Sequence, residues 1–343
     1  EEVKNREAAL SMKASCLFAI EAIKNPVPFA PENLGDSVNS ELNEYWPYLS
    51  VDEKQLMFTV MLPLNSDVKG SPLQEDFFLS KRSGEHWSKR ENAGSPLNSL
   101  DNEGAHSVTA DGRMLFFTAC NRRDGMGQCD IYTSILENGS WSRPLNLGSP
   151  VNSRYSEKHP SISADGRVLY FASSRPGGKG SYDIWSSRWN GTTWSVPENL
   201  GDSVNTPGLE QSPFLHPDQR SLYFSSTAWL GMGQGDLFLT RRSGEDEWSK
   251  PVNLGYPINT FNDEIGLSVN ARGNRAYFAS DRVGKNNTDI FTFELPMDLR
   301  PVLVSYLSGR VYDSRNMKGV SALIQLIDLE TGEVVVESPS FLT

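Results

Sequence analysis

Asn146-Leu147-Gly148, Asn199-Leu200-Gly201 and Asn253-Leu254-Gly255 are three copies of one short pattern. Asn33-Leu34-Gly35 is an earlier copy and Asn92-Ala93-Gly94 a degenerate one. Counted from Asn33, the steps are 59, 54, 53 and 54 residues. A fixed period of about 50 residues marks repeated supersecondary units, so reading one unit gives the architecture. A motif written five times is also read as scaffold before it is read as an active site.

The third unit is the clearest. Residues 157–163 are short and extended, and Ala164-Asp165-Gly166-Arg167 is a tight turn in which Gly166 supplies the positive φ of a hairpin. Val168-Leu169-Tyr170-Phe171-Ala172-Ser173 is a strand rich in branched and aromatic residues. A glycine-rich loop over 175–180 leads to a second strand, Tyr182-Asp183-Ile184-Trp185-Ser186-Ser187. Asn190-Gly191 then turns the chain before Trp194 and the closing Asn199-Leu200-Gly201. Three or four short antiparallel strands per unit make one propeller blade. The strand-opening Asp recurs as Asp76, Asp130, Asp183, Asp236 and Asp289, so five units predict a mainly β, five-bladed propeller. No Asn-Leu-Gly follows the fifth unit, and residues 27–35 are expected to supply the strand or corner it lacks.

The ends differ in character. Residues 1–25 carry Leu10, Ala14, Leu17, Phe18, Ile20 and Ile23 at roughly helical spacing before Pro26 and predict one amphipathic helix, with Cys16 as a small buried hydrophobe. Residues 302–343 read as three strands and two turns, the start of a β-sandwich. The division is therefore 1–25, 26–301 and 302–343.

The net charge of −11 disfavours nucleic acid and anionic lipid as partners. No stretch approaches the ~20 apolar residues of a membrane span, and the charged start Glu1-Glu2-Val3-Lys4 does not read as a signal peptide. Cys120 and Cys129 flank a short turn between two expected strands. A disulfide and two free thiols both fit there, and the former would indicate an oxidising compartment.

The unit with Ser-Ala-Asp-Gly-Arg, Leu-Tyr-Phe-Ala-Ser, Tyr-Asp-Ile-Trp and Asn-Leu-Gly resembles the PD40 type of WD40-like propeller repeat. The helix holding residues 13–19 resembles the last helix of a tetratricopeptide array, and 309–332 the opening of a carboxypeptidase-regulatory-like domain. This order is similar to Bacteroidota envelope proteins that end in an OmpA-type domain, among them a type IX secretion component. The resemblance implies a periplasmic location at the outer membrane and secretion-system or other envelope proteins as partners. It also implies that peptidoglycan is bound through the OmpA-type domain, which is outside this sequence.

Five glutamates, Glu44, Glu103, Glu157, Glu210 and Glu264, follow the period and begin the strands expected to line the channel. They form a candidate cation or basic-peptide site at the channel mouth, or each accepts hydrogen bonds from neighbouring-blade amides or an Arg. His106 and His159 lie beside them without a patterned third metal ligand. The loops 125–130 and 231–236 resemble phosphate loops, but a strand follows them where a dinucleotide fingerprint needs a helix. Trp46, Trp185, Trp189 and Trp229 break the repeat, and Trp229 and Trp189 are candidate surface contacts. No cofactor or catalytic residue is expected. The leading expectation is a non-catalytic scaffold, with a glycan- or peptidoglycan-binding propeller as the alternative and a glycoside-active enzyme behind it.

Overall fold

A computed structural model describes residues 2–65, 68, 70–244, 247–282, 287–304, 309 and 311–339. It divides into two units, 1–304 and 305–343. The first opens with an α-helix, Glu2–Lys24, where Asn25 Nδ2 turns back to the Glu21 carbonyl and Pro26 cannot continue the ladder. Leu10, Leu17, Ile20 and Ile23 are exposed on this helix. Cys16 is exposed too, which corrects the expectation of a buried thiol: no element among the described residues covers it.

Five antiparallel sheets follow. Blade 1 is built on Asn43–Leu49, Gln55–Pro63 and Leu73–Ser83, and blade 2 on Asn102–Val108, Met114–Cys120 and Cys129–Glu137. Their outer edges are short pairs with the third strand. Blades 3 and 4 each have four strands in sequence order: Glu157–Ile162 to Glu198–Asn199, and Glu210–Leu215 to Val252–Asn253. Blade 5 holds Ser268–Val269, Arg275–Ser280 and Asp289–Glu294. Its fourth strand is Glu32–Asn33, with Glu32 opposite Thr292 and Asn33 opposite Phe291. The amino-terminal end of the propeller thus closes the ring, and the five-bladed fold read from the repeat is the fold observed.

The middle strands are buried on both faces because each blade is covered by a neighbour on either side; every residue of Ser221–Ser226 is buried. The apolar clusters sit between blades. Phe116 and Ile131 of blade 2 pack with Leu169, Phe171 and Trp185 of blade 3. Leu56 and Phe58 of blade 1 pack with Tyr277 and Ile290 of blade 5.

The repeated Asn has a structural purpose in every blade. Asn199 Nδ2 donates to Asp183 at 2.7 Å, and its Oδ1 accepts the Gly201 amide and the side chain of a second periodic residue, Asn205. Asn205 then grips both the N–H and the C=O of Ile184, at 2.7 and 2.9 Å. Asn39, Asn98, Asn152 and Asn259 make the same double contact in their blades. The clamp ties each blade's outer corner to its third strand.

The second unit pairs Leu323–Ile327 antiparallel with Val334–Pro339. The first strand expected there falls partly on 308 and 310, outside the described residues.

Candidate functional site

The periodic glutamates are fully or almost fully buried, and each closes the corner by which the chain passes from the preceding blade into its own. The carboxylate accepts the amide and hydroxyl of the residue four positions earlier: Ser40, Ser99, Ser153, Thr206 and Thr260 respectively. A guanidinium completes three of them: Arg90 on Glu44, Arg122 on Glu103 at 2.9 Å and Arg175 on Glu157 at 3.0 Å. Burial nevertheless pushes the Glu44, Glu103, Glu210 and Glu264 carboxyls above the ordinary range, against the pull of these donors.

Blade 4 departs from this plan. Ala228 stands at the position of Arg175, and Glu210 is completed by the Ser226 hydroxyl at 2.6 Å. Arg175 also donates to the Val151 carbonyl and Arg282 to that of Ile258. In blade 4 the matching carbonyl, Val204, accepts Trp229 Nε1 at 2.8 Å. The half-buried Trp229 thus takes over one contact of the missing guanidinium and packs against the core between blades 3 and 4.

The glycine loops wrap the periodic aspartates. Asp130 accepts the Met126 amide, Asp183 those of Lys179 and Gly180, and Asp236 that of Met232. A Cβ on Gly178 would stand 2.7 Å from the Asp183 carboxylate, so only glycine allows the wrap. Cys120 and Cys129 are bonded to each other across the base of the 121–128 loop.

Two residues beyond each glutamate lies the layer where the blades differ most. Trp46, Ala105, His159, Ser212 and Gly266 occupy equivalent places, all with positive φ, between 42° and 70°. Bulges interrupt the innermost strands of blades 1 to 4 at this point. Left-handed backbone at Trp, Ala, His and Ser costs on the order of 1 kcal/mol or more each, and such strain gathers at functional places. Neighbouring innermost strands are joined directly, as by the Leu215 amide on Ser161 Oγ at 2.8 Å, so these five positions surround the axis.

Trp46 spans that axis. Its ring lies 4.9 Å from His159 of blade 3 and 4.8 Å from Tyr45. A Cβ on Gly104 of blade 2 would stand 3.0 Å from the indole, and one on Gly266 of blade 5 would stand 2.5 Å away. Two glycines therefore make room for one tryptophan. The Trp46 Nε1–H is buried without a hydrogen-bond partner among the described residues. His159 Nδ1 accepts the Ser212 amide at 3.2 Å, and burial holds the imidazole neutral, its pKa lowered to about 3. Tyr45 donates to Glu75 Oε1 at 2.7 Å; burial and that carboxylate hold the phenol far above its usual range. The repeat pointed to this layer only by exception, through a tryptophan where other blades carry small residues or His159. Glu75 was missed, because it lies one residue before a periodic Asp and has no counterpart pattern.

Trp189 borders a cavity of about 290 Å³ at the other end of the strands, between blades 3 and 4. His106, Asp218-linked His216 and exposed His86 lie apart from one another. Among the described residues, no three His, Cys, Asp or Glu side chains converge as a metal would require.

No protein-family model matches the sequence, and no curated protein matches it. Solved structures share the fold. A BT0996 RGII complex has a TM-score of 0.54 at 8% identity, over 82% of this protein and 95% of that one. A structure described as a glycoside hydrolase has a TM-score of 0.50 at 8% identity, over 79% and 91%. A puromycin-hydrolyzing peptidase from Mycobacterium tuberculosis gives 0.42 at 14% identity, and the 84% of this chain that is matched spans only 42% of it. The glycoside hydrolase match corrects the expectation of a purely non-catalytic scaffold and the exclusion of enzyme activity. The same ring occurs in a glycoside hydrolase, so ring architecture and repeated channel carboxylates give no ground for that exclusion. Among the described residues, no helix is long and apolar enough to cross a membrane.

Proposed function

We propose that the propeller engages glycans at its axial layer. The observation that carries this reading is Trp46, a half-buried indole across the axis whose Nε1–H has no partner among the described residues. Beside it stand a neutral imidazole, His159, and a carboxylate, Glu75, held by Tyr45. A sugar presents an apolar C–H face and a rim of hydroxyls. An aromatic floor with a few fixed donors and acceptors is the matching surface. The glycoside hydrolase and BT0996 RGII structures that share the ring support the reading by fold alone. Binding is the step common to a glycan receptor and a glycan-active enzyme, and the proposal is confined to it.

The PD40-type resemblance and the Cys120–Cys129 bond support a periplasmic setting at the outer membrane, where envelope polysaccharide and secretion proteins are within reach. On this reading residues 1–25 end a tetratricopeptide region, 26–301 form the propeller and 302–343 begin a regulatory-like domain.

The test is a glycan array followed by calorimetry on the chain. Trp46→Ala is expected to weaken binding at least tenfold, about 1.4 kcal/mol, and His159→Gln to weaken it less. Failure of every oligosaccharide to bind, or unchanged binding by folded Trp46→Ala, overturns the reading.

A further inference from the structure

The residue before each periodic aspartate differs from blade to blade: Glu75, Cys129, Tyr182, Gly235 and Thr288. Only blade 1 places a carboxylate there. Glu75 is half-buried. Its Oε1 accepts the Tyr45 hydroxyl at 2.7 Å, and its amide donates to Asn102 Oδ1 of blade 2 at 3.1 Å. Among the described residues nothing donates to Oε2, and no Lys or Arg pairs with the carboxylate. The periodic glutamates of blades 1 to 3, by contrast, each hold a guanidinium.

The free oxygen faces a gap that only blade 2 leaves open. Gly104 follows Glu103 where the other blades carry Tyr45, Lys158, Gln211 and Ile265. A Cβ on Gly104 would stand 3.0 Å from Trp46 Cζ3, 3.3 Å from Glu75 Oε2 and 3.4 Å from Thr59 Cγ2. The edge of the indole and the unpaired carboxylate oxygen therefore border the same space. The groups around it do not balance the charge. His159 is neutral, its pKa lowered by burial to about 3, and Tyr45 keeps its proton. Lys158, the one cation in the set equivalent to Gly104, lies over the Tyr182 ring of its own blade at 5.2 Å. Glu75 stays an uncompensated negative charge beside an aromatic surface.

We propose that the axial layer selects sugars that carry a free amino group. This rests on the glycan reading and names its substrate class. The ammonium donates to Glu75 Oε2 in a charge-assisted bond, while the C–H face of the sugar ring lies on Trp46. Attraction of the cation to the indole adds to the pair. The same carboxylate repels uronic acids, since like charges placed together are costly. An N-acetyl group forfeits the charge and turns a carbonyl oxygen toward a carboxylate.

Calorimetry on the chain tests the proposal with three β-1,4-linked tetrasaccharides, of glucosamine, glucose and N-acetylglucosamine, which differ only at C2. The glucosamine tetrasaccharide is expected to bind saturably and at least tenfold tighter than the other two. Glu75→Gln keeps the shape and the acceptor for Tyr45. It should weaken the glucosamine tetrasaccharide at least tenfold and bring its affinity to that of the glucose form. Glu198→Gln removes the same charge from an exposed outer strand and should leave the preference intact. Equal affinity of the wild-type chain for the glucosamine and glucose forms overturns the amino-sugar assignment and leaves the glycan reading standing. So does a preference that survives in folded Glu75→Gln, which would belong to the net charge of −11. Trilysine binding as tightly as the glucosamine tetrasaccharide, and lost in Glu75→Gln, would make this a peptide site and overturn it as well. Silence of all three tetrasaccharides overturns this proposal, whereas the glycan reading falls only if the whole array is silent.

Discussion

His106 is the residue whose burial is least compensated. It lies between Tyr48 and Phe77, ring centroids 5.8 and 5.2 Å away, and neither ring nitrogen has a hydrogen-bond partner among the described residues. Burial alone lowers its pKa to about 3. The sign of the linkage follows: the unfolded chain takes up a proton near pH 6.5 that the folded chain refuses, so stability is lost as pH falls below 6.5. By pH 5 that loss is about 2 kcal/mol for this side chain. His106→Leu removes both the unsatisfied nitrogens and the proton linkage. Urea unfolding is expected to find the variant at least as stable as the parent at pH 7, with a further advantage of about 2 kcal/mol at pH 5. An advantage that does not grow on acidification would show that the imidazole titrates in the folded state. The sequence marked His106 as a neighbour of the glutamates. It held no sign that bulging of Asn102–Val108 turns the ring away from a ligand and into an aromatic pocket.

A blade is held by side-chain clamps as much as by its ladders. Asn205 bonds both backbone groups of Ile184 from a corner that has no regular pairing of its own, and is the one partner of the N–H among the described residues. Asn205→Ala orphans the buried Ile184 N–H, while the Ile184 carbonyl keeps the Leu200 amide at 3.1 Å. At 1–3 kcal/mol per orphaned group, the expected cost is about 2 kcal/mol, read as a lower denaturation midpoint with unchanged slope. A cost below about 1 kcal/mol would mean water replaces the amide. The period was legible here because the clamp needs the same amide at the same place in every blade. Asn-Leu-Gly and the residues after it repeat for that reason, and so do the aspartates they bond. Trp229 was legible only as an exception. Its purpose, covering a carbonyl that an arginine serves in blades 3 and 5, depends on Ala228 standing at the Arg175 position. The axial layer was legible still less, since Trp46, Ala105, His159, Ser212 and Gly266 share a backbone conformation and almost no side-chain chemistry.

At the scale of the molecule the ring depends on one short segment. Glu32–Asn33 is the only strand that pairs with the outer side of Asp289–Glu294 among the described residues. Around it, Phe29 packs edge-on to Phe293 at 4.9 Å and near Phe278 at 6.0 Å. Val27 donates to the Tyr256 carbonyl, and Asn33 to Asp289. The helix before it contributes exposed apolar side chains and no comparable contacts among the described residues. Two truncations separate these roles. Deleting residues 1–25 is expected to leave the unfolding midpoint of the propeller nearly unchanged. Deleting 1–35 removes the closing strand and a phenylalanine half-buried between blades, whose truncation alone costs about 3 kcal/mol when packed in a core. It also leaves an unpaired edge that invites association between chains. The expected outcome is a midpoint lower by well over about 5 °C, with dimers or larger species by light scattering. A synthetic peptide of residues 26–36, added in excess, should restore monomer and midpoint together by binding only the folded ring. If the 1–35 deletion melts with the 1–25 deletion and stays monomeric, the ring is closed by contacts between blades 1 and 5 alone, chiefly the Leu56, Phe58, Tyr277 and Ile290 cluster, and the strand is an accessory.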